Sequence, residues 1–164
     1  MRRSIVPVLC AALLLPLGGC DGADPTAPDA AVDAVGGGND VRPQCPFTAA
    51  QVSEIIGQPM TDQGNCLFGD GKGVASLTVT TASQTAGAVT YDYQRQQAPK
   101  IYREVKDIDK GEKAYLAVKD IEAEAVVVSA AGSYTLILSS FERLSADPGA
   151  YERTLRTLLD TLPL

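Results

Sequence analysis

Histidine and tryptophan are both absent from this chain of 164 residues. Without histidine, the chain has no imidazole to serve as the base of a Ser-His triad or as a zinc ligand. The absence of tryptophan weakens the case for an aromatic platform that binds carbohydrate. These absences exclude several common kinds of catalytic site, but they leave carboxylate and serine chemistry open.

Basic residues are also scarce, with 14 Lys and Arg against 20 Asp and Glu. If the first 19 residues are cleaved off as a signal peptide, Arg2 and Arg3 are lost and the net charge falls from −6 to −8. Nucleic acids and anionic membrane surfaces are bound by neutralising phosphates with Lys and Arg. We therefore expect no nucleic-acid partner, and no attachment to a membrane by charge.

The amino-terminal residues have the pattern of a bacterial lipoprotein signal peptide, residues 1–19. Arg2 and Arg3 precede an apolar run from Ile5 to Leu17, which is too short to cross a hydrocarbon core of roughly 30 Å. The run ends in Leu-Gly-Gly-Cys, which resembles a lipobox and predicts cleavage between Gly19 and Cys20, with lipid on the Cys20 thiol. The alternatives are an ordinary secretory signal followed by a chance cysteine and, less favoured, a membrane-spanning anchor.

A tether is predicted over residues 20–40, which are rich in Ala, Asp, Pro and Gly and contain no aromatic residue. Such a composition buries too little apolar surface to offset the entropy lost on ordering. Its five aspartates are typical of a solvated acidic linker rather than of a calcium site. Attachment to the membrane is therefore expected through the lipid on Cys20, and two or more acyl chains hold stably.

The remaining residues, 41–164, have a suitable length for one compact domain. Thr48 and Gln51 predict a capping box for a first helix that ends at Gly57. A second helix is predicted over residues 88–99, ended by Pro99, and a Leu-rich third helix after Pro148. With six alternating strands between them, the predicted fold is an α+β two-layer sandwich. It has an antiparallel sheet of about five to six strands, with helices packed on one side.

Cys45 and Cys66 are the two thiols left if Cys10 is removed with the signal peptide and Cys20 is lipidated. In an exported domain, two remaining cysteines favour a disulfide, which here would tie the first helix to the first strand. A redox pair or a metal site is the alternative. Both are disfavoured, because the chain has no CxxC motif and no histidine.

Three acidic or glycine-rich motifs are the candidates for a chemical site. Glu122 and Glu124 lie two apart on a predicted strand. A glycosidase needs two carboxylates on either side of a sugar, whereas neighbouring glutamates on one strand more often keep a sheet edge soluble. The segment "DIDKGE", from residue 107, lacks the distal glutamate of a calcium loop, and "GDGKG", from residue 69, lacks the spacing of a phosphate loop. Both are interpreted as turns. We predict no catalytic residues, no metal and no cofactor.

A cysteine before "FTAAQVSEIIG", a second cysteine that leads into a strand, "VKDIDKGEKAYLAV", a valine-rich hairpin and a Leu-rich last helix occur in this order. This arrangement resembles small exported lipoproteins of unknown function that are common in actinobacteria. It is also similar to the extracellular sensor domains of mycobacterial receptor kinases. The resemblance covers most of residues 41–164 and implies an α+β sandwich with a cleft and a Cys45–Cys66 bridge. It implies no catalytic residues.

These features predict a membrane-anchored envelope lipoprotein whose exported domain is a non-catalytic, sensor-like binding module. Its expected partners are the membrane, through the lipid on Cys20, and a small ligand or an envelope protein of unknown identity. The expected location is the outer face of the cytoplasmic membrane or an outer membrane. The alternatives are a structural or assembly factor of the envelope and, less favoured, a small hydrolase that works without histidine.

Replacing Cys20 with alanine tests the lipid anchor. We expect the wild-type protein to carry a diacylated amino-terminal cysteine, because the lipobox places Cys20 directly after the cleavage site. Intact-mass analysis of protein extracted from membranes measures this modification. The prediction is wrong if the Cys20→Ala protein stays in the membrane fraction and is processed in the same way.

Overall fold

The computed structural model describes residues 40–141, 144, 147 and 149–164. The predicted signal peptide and all but the last residue of the predicted tether lie outside these residues. The helices are α1 (Ala49–Ile56), α2 (Gln84–Ile101) and α3 (Ala150–Asp160). The strands are β1 (Thr61–Asp62), β2 (Leu67–Gly69), β3 (Ala75–Ala82), β4 (Glu104–Asp107), β5 (Lys113–Val118), β6 (Glu122–Ser129) and β7 (Gly132–Ser140).

The strands form one antiparallel sheet in the order β1-β2-β3-β7-β6-β5-β4. The predicted α+β class and antiparallel sheet are confirmed. The described residues contain seven strands, one more than the upper end of the prediction. The additional strand is β1, and its two residues are too few to show the alternation by which strands are recognised in a sequence.

The larger core lies between one face of the sheet and the helices α1 and α3. We call this side of the sheet the α1/α3 face. It buries alternate residues of the central strands, since side chains one residue apart point to opposite faces. The strand residues of this core are Phe68, Ala75, Leu77, Val79, Ala114, Leu116, Ala123, Ala125, Val127, Tyr134, Leu136 and Leu138. The apolar stripe of the predicted Leu-rich third helix packs against them, with Tyr151, Leu155, Leu158 and Leu159 from α3 and Leu162 just after it.

Helix α2 packs against the opposite face, where the intervening strand residues form a second cluster. Tyr91, Ala98 and Tyr102 cover Tyr115, Ala117, Val126 and Val128. The expectation of helices on one side therefore holds for α1 and α3, whereas α2 lies over part of the other face. The run Val126-Val127-Val128 in β6 is typical of a strand covered on both faces, and all three residues are buried, Val127 on one face and its neighbours on the other.

Helix α2 is longer than predicted at both ends. It begins at Gln84, where the Ser83 hydroxyl accepts a hydrogen bond from the Ala86 N–H, and it continues two residues beyond Pro99. Proline has no N–H and cannot donate a hydrogen bond to the preceding turn. Because Pro99 lies near the end of the helix, few backbone hydrogen bonds are affected. The early turn was missed because Gly87 lowers the helical propensity there.

The start of α1 was predicted correctly. Thr48 accepts the Gln51 N–H, the Gln51 side chain accepts the Thr48 N–H in return, and Gly57 ends the helix with φ 76°. Phe47 and Val52 are both buried, as expected for a hydrophobic staple across the cap. This cap fixes the direction in which the preceding residues, 42–47, approach the sheet.

Gly87 sets how closely α2 approaches the sheet, since a Cβ atom added there would overlap the Cβ of Ser133 in β7. We expect Gly87→Val to lower the free energy of unfolding by about 1–3 kcal/mol, the usual cost of overpacking. Urea denaturation measures the change. Ala86→Val, at the exposed neighbouring position, is the matched control and should cost only a few tenths of a kcal/mol. Equal losses in the two variants would contradict this account of the α2 contact.

Candidate functional site

The predicted disulfide between Cys45 and Cys66 is present, with the two Cα atoms 5.5 Å apart and a sequence separation of 21. It joins the segment before α1 to the residue before β2. Cys45 is exposed to solvent and Cys66 is half-buried, so the bridge lies at the surface. The disulfide therefore connects two surface segments that have no other covalent link nearby.

The first of these segments, residues 42–47, is called the arm. At its start, the Arg42 Nε donates a hydrogen bond of 2.9 Å to the Thr81 hydroxyl in β3. Pro43 then packs on Gly132 so closely that a Cβ there would lie 2.6 Å from the proline ring. At the other end Phe47 enters the core. The arm is thus held at both ends, by Arg42 and Pro43 at its start and by Phe47 in the core at its end.

The second segment, residues 62–66, is called the turn. Gly64, Asn65 and Cys66 have successive φ values of 88°, 51° and 58°, in the left-handed region that non-glycine residues rarely occupy. The turn is stabilised by the Gly64 N–H, which donates to the Asp62 carboxylate at 2.8 Å, and by the Leu67 N–H, which donates to the Gly64 carbonyl. The Val79 N–H also donates to the Cys66 carbonyl, which fixes the turn to β3.

A cleft of about 470 Å³ lies between the arm, the turn and β3. We call it the disulfide cleft. Its volume lies in the range of small-molecule binding sites. The residues that line it are Arg42, Pro43, Gln44, Cys45, Phe47, Asp62, Gly64, Asn65, Cys66, Val79 and Thr81. The lining combines an apolar floor with one cation, one carboxylate, two side-chain amides and a hydroxyl.

Glu122 and Glu124 serve as hydrogen-bond acceptors beneath α2. These are the two glutamates that the sequence offers as candidates for a catalytic pair. The Tyr102 hydroxyl donates to Glu122 at 3.1 Å, and the Tyr115 hydroxyl donates to Glu124 at 2.6 Å. Burial, together with the neighbouring carboxylates, raises the pKa of both tyrosines well above its usual range. The Tyr102 contact ties the end of α2 to β6, and the Tyr115 contact joins β5 to β6. Both lie on the face of the sheet opposite the α1/α3 face.

The other motifs are structural as well. Asp107 of "DIDKGE" is paired with Arg95 at 2.6 Å, which lowers the pKa of Asp107, and Glu112 accepts a hydrogen bond from Gln84. In "GDGKG" the Asp70 carboxylate accepts the Lys72 N–H at 2.9 Å, as in an ordinary Asx turn. Within the described residues, no three His, Cys, Asp or Glu side chains are grouped so as to hold a metal ion.

Comparison with protein-family models, with curated proteins and with solved structures finds no match to this chain. The resemblance to exported lipoproteins and sensor domains therefore stays a prediction. Gly19 and Cys20, the predicted cleavage and lipidation residues, lie outside the described part of the chain. No helix in the described part is long and apolar enough to cross a membrane.

Sequence reasoning found the disulfide but missed the other lining residues of the cleft. Arg42, Asp62 and Thr81 come from three separate segments and form no motif. The cysteine pair was the only available signal, because it predicts that residues near 45 and near 66 lie together. Whether residues of β3 lie in the cleft depends on how the strands pair. The local sequence pattern does not show this pairing.

Removing the disulfide should loosen both walls of the cleft. We expect Cys45→Ala/Cys66→Ala to lower the free energy of unfolding by about 3 kcal/mol, the loop-entropy contribution for a loop of this length. Denaturation in urea measures it, and dithiothreitol should lower the wild-type stability to a similar extent. The double variant is the control, since reductant should leave it unchanged. Two free thiols in protein purified from the envelope without reductant would contradict the prediction.

Proposed function

We propose that this protein is a membrane-anchored envelope lipoprotein whose exported domain binds a ligand or an envelope protein without turning it over. The observation that carries this proposal is the disulfide cleft. Its walls are the arm and the turn, which are joined by the Cys45–Cys66 bridge and held to β3 by hydrogen bonds. A site with pre-formed walls loses less conformational freedom on binding than a flexible one.

The chemistry of the lining favours binding over catalysis. Nucleophilic or acid–base catalysis needs a base within hydrogen-bond reach of the group that it activates. The cleft's hydroxyl, on Thr81, accepts a hydrogen bond from Arg42, a cation that does not act as a base at neutral pH. The cleft's carboxylate, on Asp62, accepts a hydrogen bond from the turn that it stabilises. Both groups are therefore engaged in holding the walls.

The predicted tether suits a binding module. About 20 flexible residues give a reach of roughly 25 Å, at about 5–6 Å multiplied by the square root of the residue number. This distance clears the lipid headgroups and raises the local concentration of the domain near other envelope components. The tether ends where the arm begins, so the cleft would lie near the anchored end of the domain.

Filling the cleft tests the proposal. Gln44 is an exposed lining residue, so Gln44→Trp should obstruct the cleft with little cost in stability. We expect envelope extract to change the amide chemical shifts of cleft residues in the wild-type mature protein, and we expect Gln44→Trp to suppress these changes. Gln96→Trp, on the exposed side of α2, is the matched control and should behave like the wild type.

Two outcomes would contradict the binding module. In the first, extract changes no cleft resonance in the wild type, or changes them equally in the Gln44→Trp protein. In the second, the purified domain converts a substrate, and a single carboxylate or serine substitution abolishes that conversion while the fold is retained. The second outcome would establish the hydrolase alternative.

A further inference from the structure

Arg42 differs from most basic residues of this acidic domain. Eight described Lys and Arg side chains lie within 4.0 Å of a carboxylate. Among the described residues, no carboxylate lies within this distance of Arg42, although its side chain lines the cleft. Its Nε is fixed by Thr81, so the position of the guanidinium is set by a contact that uses one of its five N–H donors.

Asp62 lines the same cleft from the turn. One of its oxygens, Oδ1, accepts the Gly64 N–H at 2.8 Å, which orients the carboxylate group. No described Lys or Arg lies within 4.0 Å of this carboxylate, so Arg42 and Asp62 do not pair with each other. Two opposite charges therefore border one cleft, each held by its own wall.

The charge pattern narrows the kind of ligand. A phosphate or another simple anion would be attracted by Arg42 but repelled by Asp62. A simple cation would be attracted by Asp62 but repelled by Arg42. A molecule that carries both charges can form a charge-assisted hydrogen bond with each residue. Hydrogen bonds between ionised groups are about twice as strong as those between neutral groups. The floor of the cleft, with Phe47, Val79 and the disulfide, suits an apolar group between the two charges.

We propose that the disulfide cleft binds a small zwitterion, a free amino acid or a short peptide, whose carboxylate pairs with Arg42 and whose ammonium group pairs with Asp62. This inference rests on the proposed binding function and names the ligand class of that site. The cleft volume of about 470 Å³ accommodates an amino acid or a dipeptide. Guanidinium and carboxylate form paired N–H···O bonds, so the carboxylate end is the more strongly oriented one.

The probes are leucine, leucyl-leucine, N-acetyl-leucyl-leucine and leucyl-leucine amide, each titrated into the mature protein. We expect the zwitterions to shift amide resonances of the arm and the turn. Blocking either end of the dipeptide should weaken binding about tenfold or more, because it removes one charge-assisted contact. Equal affinity for the dipeptide and both blocked forms would overturn the proposal.

Substitutions assign each end of the ligand. Arg42→Gln should abolish the preference for leucyl-leucine over its amide, while the preference for a free amine remains. Asp62→Asn keeps an acceptor for the Gly64 N–H and should abolish only the preference for a free amine over the N-acetyl form. If Arg42→Gln fails to fold, Arg42→Lys retains the charge and should keep part of the preference for the free acid.

Lys100→Gln and Asp109→Asn are the controls, since they make the same changes of charge at exposed positions outside the cleft. Both should bind all four probes as the wild type does. The proposal is overturned if these controls lose the preferences as well, or if no zwitterion binds at millimolar concentration. In that last case, shifts of cleft resonances by envelope extract that Gln44→Trp suppresses would leave the proposed binding function standing. The absence of such shifts would remove both.

Discussion

The pairing of β3 with β7 is the constraint on which the other parts of the structure depend. Eight residue pairs join the two strands, from Ala75 opposite Ser140 to Ala82 opposite Ser133. This ladder connects the amino-terminal part of the sheet to the carboxyl-terminal part, which lies more than 50 residues later. At one end of the ladder, the Thr81 hydroxyl accepts a hydrogen bond from Arg42. Beside it, Pro43 packs on Gly132, and Gly87 of α2 packs on Ser133. The backbone hydrogen bonds between β3 and β7 thus fix both the position of the cleft and the place where α2 packs on the sheet.

Most basic side chains of the domain are neutralised locally. Among the described residues, Arg42, Lys72 and Lys100 form no ion pair, and of these three it is Arg42 that lines the disulfide cleft. The ion pairs lie on the surface, where each contributes about 0–1 kcal/mol, so they matter little to stability. The ion pairs reduce the number of unpaired charges on the surface that are available to a ligand. The triad of Lys106, Glu152 and Arg156 is one example, and it lowers the pKa of Glu152 through two cationic partners. Arg42 and Asp62 keep their charges available at the cleft.

The sequence predicted those elements whose signals are local. The capping box at Thr48, the left-handed Gly57 and the apolar stripe of α3 all depend on residues within a few positions of one another, and the structure confirms them. Gly87 misled the prediction of α2 because its role, a close approach to Ser133, involves a residue 46 positions away. The valine run showed that β6 is covered on both faces, but not which helix covers which face. The walls of the cleft were beyond prediction for the same reason, since only the cysteine pair indicated that the arm and the turn are neighbours.

The same long-range contacts connect the cleft to the residues that follow the predicted tether. Any pull that the predicted tether transmits reaches the arm first, and there it acts on the Arg42–Thr81 hydrogen bond and on the packing of Pro43 against Gly132. A ligand that contacts both the arm and the turn adds a further link between them. Because it binds only when both walls are in place, it stabilises that state by about 2.7 kcal/mol at a hundredfold excess over its Kd. Occupancy of the cleft and the attachment of the arm are therefore coupled through one set of contacts, so a binding event would affect the residues that directly follow the predicted tether.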